Sequence, residues 1–160
     1  MISTLHTVKG KLIGKDEWAF GDFLADAVTH KQYIANMVNG HIKTYEVNPQ
    51  TVQQSIDQLD VDGNEMFTND IIRVFVNGYS FDGIIRYGNY TQKGKPYKTR
   101  TGLYLEWYED SILGKCSNLE DIFSEVDAQY DSWILVLGNV IDNQLCDFDG
   151  IEIVPYEHKK

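Results

Sequence analysis

The sequence predicts an α+β protein that is mostly β: short antiparallel strands, an N-terminal hairpin subdomain, a small SH3-like, barrel-type remainder and one short helix. Three observations carry this expectation. Aromatic residues are abundant, with ten Tyr, seven Phe and three Trp in 160 residues, and such side chains favour pleated, half-buried surfaces. The tight-turn pairs Asn39-Gly40, Asp62-Gly63 and Asn77-Gly78 punctuate β-branched and aromatic runs at short intervals. Helical spacing of apolar residues stands out in one stretch, just after Ser117.

The elements follow in order. Lys11-Leu12-Ile13 and Trp18-Ala19-Phe20 flank Gly14-Lys15-Asp16-Glu17, and Trp18 and Phe20 alternate onto one face, which reads as a β-hairpin. A second hairpin joins Gln32–Met37 to His41–Val47 through Asn39-Gly40, because both turn residues tolerate the positive φ of a type I′ turn. Pro49 has no amide hydrogen and belongs at an edge or turn, before a strand over Thr51–Gln54. Strands are then expected at Ile71–Val76, Gly83–Tyr87, Leu103–Trp107 and Trp133–Leu137, enough for a small barrel. Ser117-Asn118-Leu119-Glu120 matches a capping box, and Leu119, Ile122, Phe123 and Val126 give the following helix one apolar face. The expected division places a hairpin subdomain at 1–54 and the barrel-like part at 55–160, within a single domain.

Four blocks occur in a recognisable order. They are Trp18-Ala19-Phe20-Gly21-Asp22, then Val47-Asn48-Pro49-Gln50-Thr51-Val52-Gln53-Gln54, then Asp60 to Gly63 with Met66-Phe67-Thr68-Asn69-Asp70-Ile71-Ile72, and last Gly138-Asn139-Val140-Ile141-Asp142-Asn143. Together they resemble the YopX-like proteins of bacterial phages and prophages. That family reads W-x-x-G-D, V-x-P-x-T-V-x-Q, D-x-x-G, I-[FY]-x-G-D-I-V and G-N-[IV]-x-x-N. Asn69 stands where the family usually has Gly, which enters positive-φ conformations more freely than Asn. Ile141 stands where an aromatic is common. The resemblance implies a phage origin, a strand-rich α+β fold and an uncharacterised function, and it supplies no catalytic residues. Trp18, Gly21, Gly63, Gly138 and Asn139 are of the kind that fix turns or fill cores, so the shared motifs are expected to serve architecture.

Composition narrows the function classes. At 18.4 kDa with 42% hydrophobic and 24% charged residues, the chain suits one globular domain with a real core. No run approaches the ~20 apolar residues of a membrane span, and the N-terminal residues lack the pattern of a signal peptide, so a cytoplasmic protein of the bacterial host cell is expected. Cys116 and Cys146 form no C-x-x-C pair and read as structural thiols. The net charge of −10 is uneven: Glu109 to Glu152 holds eleven acidic residues against Lys115 alone. That segment disfavours phosphate backbones. It serves solubility, or, on a sharper reading, mimics nucleic acid to occupy a host nucleic-acid-binding protein.

Catalytic and metal patterns are missing. Asp60-Val61-Asp62-Gly63-Asn64-Glu65 is rich in oxygen ligands, but Glu65 falls where an EF-hand needs Gly and Ile71 where it needs Glu, so it reads as a solvated turn. His6, His30, His41 and His158 are scattered. Neither a nucleophile elbow nor a phosphate loop occurs. No enzyme activity, metal or cofactor is therefore expected. The concentrated basic segment comprises Lys93, Lys95, Tyr97, Lys98 and Arg100, with Tyr90 just before it, and suits either an exposed loop, contact with a partner or single-strand nucleic-acid binding. The expected role is a non-enzymatic accessory protein acting by protein binding or self-assembly as a homo-oligomer, with nucleic-acid binding through residues 93–100 as the alternative.

Overall fold

The computed structural model describes residues 8–92, 95–111, 114–128 and 131–142. Contacts divide the chain into two compact units, Met1–Gln58 with Glu65–Phe67, and Leu59–Asn64 with Thr68–Lys160.

The first unit is an antiparallel sheet of β1 (Val8–Lys11), β2 (Trp18–Ala25), β3 (Gln32–Val38), β4 (His41–Val47), β5 (Gln53–Leu59) and β6 (Glu65–Phe67), in the order β4-β3-β2-β1-β5-β6. Both expected hairpins form, the first with its leading strand at Val8–Lys11 instead of the expected Lys11–Ile13. The first closes with the Leu12 amide donating to the Glu17 carbonyl at 3.0 Å. At the second, Asn39 and Gly40 take φ of 51° and 80°, as a type I′ turn requires. Strand β2 pairs with β1 through Gly21 and with β3 from Asp22 onward, so Gly21 marks the point where the strand changes neighbours. A Cβ there would stand 2.2 Å from the Ala35 carbonyl oxygen, which explains why the position holds Gly.

The strand expected at Thr51–Gln54 starts two residues later, at Gln53. Pro49–Thr51 forms a 3₁₀ turn instead, with Asn48 accepting from the Gln50 amide. Pro49 suits its first position, where no amide hydrogen is needed. The buried Thr51 hydroxyl accepts from the Lys11 amide at 2.8 Å and donates to the Asn48 carbonyl at 2.7 Å. Val8, Ala19, Ile34 and Val47 form the core beneath, joined by Leu12, Tyr45 and Val52. The Lys9 ammonium lies over the rings of Trp18 and Phe67, at 4.8 and 4.6 Å, a cation–π arrangement that helps a buried cation.

The second unit is a sheet of β7 (Asp70–Val76), β8 (Tyr79–Gln92), β9 (Lys95–Ser111), β10 (Gly114–Asn118) and β11 (Trp133–Asn139), in the order β10-β9-β8-β7-β11. The expected SH3-like closure is not formed: this sheet is open, with β10 and β11 at opposite edges. Nor are its strands all short, since β8 and β9 run for 14 and 17 residues. The physical reason lies in the helix. The chain passes from β10 through α1 (Leu119–Ala128) to β11, and α1 packs against β7, β9, β10 and β11. Ile72, Val74, Ile85, Leu105, Trp107 and Ile134, which register places on one face, are buried together with Leu119 and Ile122. A helix laid on that face covers apolar surface that strands would otherwise curl to bury.

Two local expectations are corrected. Asn118, not Ser117, caps α1: its side-chain oxygen accepts from the Asp121 amide at 3.0 Å, while Ser117 Oγ accepts from the Trp107 indole at 2.8 Å. The Asp60 turn is only partly solvated. Residues 61–64 are exposed, but Asp60 is buried, and its carboxylate accepts from the amides of Asp62, Asn64 and Val136 and from the Asn64 side chain. The Val61 amide also donates to the Ile134 carbonyl at 2.8 Å. Asp60 and Val61 thereby occupy groups on the outer side of edge strand β11, which would otherwise invite another strand.

Candidate functional site

Strand pairing isolates an arm. The last β8 residue paired with β7 is Ile84, and the first β9 residue paired with β10 by Asn118 is Tyr104. Beyond these limits, residues 87–92 and 95–103 pair with each other as a two-stranded ribbon. Residues 95–100 of the segment that the sequence suggested as a loop therefore lie on the outer part of this ribbon. Lys95, Tyr97 and Lys98 lie on β9, though their side chains, like the whole of Lys93, are outside the described residues. Arg100 is exposed and sits opposite Tyr90.

Two glycines shape the arm. Gly88 and Gly102 face each other across the ribbon with φ of 151° and 152°, a conformation that side chains rarely adopt. They lie between the pairs Arg86↔Tyr104 and Tyr90↔Arg100 on the same face. Even so, Tyr90 stacks on Tyr104 with ring centroids 4.7 Å apart. Four residues of extended strand span about 13 Å, more than two tyrosine side chains bridge while stacked, so the ribbon bends at the glycine pair. Asn118 Nδ2 donates to the Tyr90 hydroxyl at 2.8 Å and anchors the bend. Tyr90 is only 6% exposed, which removes it as a stacking surface for a base.

The opposite face of the arm is open. Tyr87, Asn89, Thr91, Thr99 and Thr101 share it by register, and all are exposed, Tyr87 to 70%. Thr101 Oγ1 donates to Asn89 Oδ1 at 2.6 Å across the strands. Sequence reasoning misses these residues. Their signal is present, because glycines inside a strand pattern mark a bend and Thr-x-Thr alternates onto one face.

Charge is segregated along the same element. Residues 87–105 contain four basic residues and no Asp or Glu. The nearest acids on either side are already paired: Arg73 makes two bonds to Asp82, at 2.7 and 2.9 Å, and Arg86 binds Glu106 at 3.2 Å and Asn69 at 2.8 Å. Asn69 holds φ of 69° at its turn, so the asparagine both takes the left-handed conformation and receives the arginine. Burial and then Glu106 push the Cys116 thiol above its usual range, and the Tyr104 phenol is raised by the same two causes, with Cys116 adding to them. A thiol held neutral is a poor nucleophile. Among the described residues, no group of three or more His, Cys, Asp or Glu is placed to hold a metal ion, and no helix is long and apolar enough to cross a membrane.

Of the acidic stretch between Glu109 and Glu152, the described side chains include Glu120, Asp121, Glu125 and Asp127, all exposed on α1; Glu109, Asp110 and those from 143 onward are outside the described residues. Comparison with protein-family models, curated proteins and solved structures finds no match to this chain.

Proposed function

We propose that this chain is a non-enzymatic accessory protein of the YopX-like phage and prophage type, which works by holding an anionic macromolecular partner on the β8–β9 arm. The observation that carries the reading is the segregation of charge. A chain of net charge −10 keeps nineteen consecutive residues free of acid and places four bases among them, of which Lys95, Lys98 and Arg100 lie on β9 of the ribbon. Replacing residues 88–102 by Asn-Gly, the turn this chain uses at 39–40 and 77–78, tests it. The shortened protein should keep its melting temperature within a few degrees and lose the partner that the tagged full chain recovers from bacterial lysate. Recovery of the same partner by both would overturn the reading.

A second reading, self-assembly, is favoured by Met37 and Ile42. They are cross-strand partners on the β3–β4 hairpin, exposed to 66% and 73%, with Leu24 exposed to 46% on the same face. If that face joins copies, Met37→Asp with Ile42→Asp should convert an oligomer to monomer in sedimentation velocity. A wild-type monomer at 100 µM or so would dismiss it.

A further inference from the structure

We infer that the open edge of β8 on the arm, from Tyr87 to Thr91, pairs antiparallel with the same edge of a second copy of this chain, across a two-fold axis at Asn89. Two ribbons then make one four-stranded sheet. This contact is distinct from both surfaces proposed above, since it uses neither the cations of the arm nor the β3–β4 face.

Backbone direction defines the edge. The Asn69 amide donates to the Ile85 carbonyl at 2.7 Å, on the β7 side of β8. The amide and carbonyl of one residue point to the same side and alternate along a strand, and the β8–β9 register is unbroken from Gly83 to Thr91. Tyr87, Asn89 and Thr91 therefore aim their backbone groups to that side. There β7 does not reach, its last pair with β8 being Ile71↔Ile84, and no described residue bonds these groups. Other edges are guarded: Asp60 and Val61 occupy β11, while on β4 the Ile13 amide takes the Glu46 carbonyl at 3.2 Å and Lys43 stands exposed in mid-strand. Tyr87, Gly88, Asn89, Tyr90 and Thr91 include no charge and no proline, the usual devices that keep a bare edge from pairing.

Three features select a second copy as the occupant. A chain of net charge −10 repels itself wherever acids meet, and residues 87–105 contain none. A two-stranded ribbon is marginal in water, and pairing supplies it with neighbours. The edge is also self-complementary in one register. Centred on Asn89, Tyr87 faces the second copy's Thr91, an aromatic and β-branched pair, and the two Asn89 amides face each other. Gly88, with nothing within 4 Å of the place a Cβ would take, then faces the second copy's Tyr90 and leaves the Tyr90–Tyr104 stack undisturbed. Centring on Gly88 would instead require the Ile85 carbonyl, which Asn69 holds, and centring on Tyr90 would oppose the two tyrosines. The Asn89 register makes about six backbone hydrogen bonds. Five residues a side is well below the roughly 20–30 of a standard interface, so the dimer is weak and concentration-dependent.

The test is sedimentation of the full chain from about 10 to 500 µM, with hydrogen exchange of the Asn89 and Thr91 amides followed over the same range. Association should grow with concentration, and both amides should exchange more slowly as it does. Asn89→Lys and Asn89→Glu each oppose like charges at the axis, so each variant alone should be monomeric with a melting temperature within a few degrees of wild type. Mixed in equal amounts they should form a heterodimer. Asn89→Pro removes an amide that points away from the β8–β9 ladder and should weaken association about tenfold, for the two hydrogen bonds lost across the axis. Met37→Asp with Ile42→Asp should leave this dimer in place; a dimer that this pair abolishes would put the contact on the β3–β4 face and overturn the inference. A monomer at about 500 µM, a mixture of the two charge variants that stays monomeric, or a dimer whose Asn89 and Thr91 amides exchange as fast as the monomer's would also overturn it. Should the Asn89 variants fail to fold, exchange in the wild-type chain still decides.

Discussion

Gly21→Ala should be among the most destabilising single-methyl additions in the first unit. The added Cβ would lie 2.2 Å from the Ala35 carbonyl oxygen and 3.0 Å from its carbon, backbone atoms that cannot swing aside. Relief requires β2 and β3 to separate by most of an ångström, which weakens hydrogen bonds around Asp22↔Ala35 worth roughly 0.5–1.5 kcal/mol each. The φ of 157° adds about 1–3 kcal/mol for a residue with a side chain. Against this stands a gain of about 0.4–1 kcal/mol from a stiffer unfolded chain. The net loss is about 3–4 kcal/mol, or on the order of 10 °C in melting temperature at this chain length. Gly14→Ala is the matched control. Its φ is 76°, and nothing lies within 4 Å of the place an added methyl would take, so only the left-handed cost of about 1–2 kcal/mol remains, partly offset by the same gain. Urea denaturation followed by circular dichroism compares them, with the earliest transition the one to read, since two compact units need not unfold together. Equal losses for the two variants would refute the argument from close approach.

Asp60→Ala should cost about 3–5 kcal/mol, because it leaves the amides of Asp62, Asn64 and Val136 without their acceptor; a loss under 1 kcal/mol in urea titration would show that water replaces the carboxylate. A double-mutant cycle on Arg73 and Asp82, exposed to only 14% and 17% and joined by two bonds, should give a coupling of about 1–3 kcal/mol, above the value of exposed pairs. Because folding raises the Cys116 pKa above its ordinary 9.0, the folded thiol keeps its proton longer than the unfolded one. Its penalty is absent below pH 9 and grows as pH rises through that value toward the folded pKa. Cys116→Ala should therefore flatten part of the loss of stability between pH 8 and 10.5, and an unchanged pH profile would count against burial as the cause.

What the sequence made legible was local. Asn39-Gly40 and Asn77-Gly78 announce their turns because the two residues that need positive φ are adjacent, and all four have it. The helix after Ser117 was legible from spacing alone. Its cap was not, because Ser117 is claimed by Trp107, ten residues back and one strand over. Asp60 looked solvated for the same reason: one of its partners, Val136, is 76 residues away. The barrel is absent because β8 and β9 are far longer than the apolar runs that mark them in the sequence, and because nothing local shows that α1 carries the chain to the far edge of the sheet. At the arm, the charges were visible, whereas the opposed glycines, fourteen residues apart, mean nothing until register brings them face to face.

The arm itself asks for an explanation that packing does not supply. A two-stranded ribbon without a third strand is marginal in water, and this chain twice shows that it can end a hairpin in two residues. Instead it extends β8 and β9 past their neighbours, then holds the extension with a Tyr90–Tyr104 stack, the Asn118 bond and the Thr101–Asn89 bond. The first two contacts fix the inner face, and the third ties the strands together across the outer one, whose side chains otherwise meet solvent. Had stability alone shaped the element, the exposed face would carry the mixed charges typical of a soluble surface; its described side chains are a tyrosine, an asparagine and three threonines, with half-buried Leu103 at its base, inside a segment from which acid is absent. A face held in place from behind, uncharged in its described side chains and set in a stretch of sequence without acid is suited to contact with a partner.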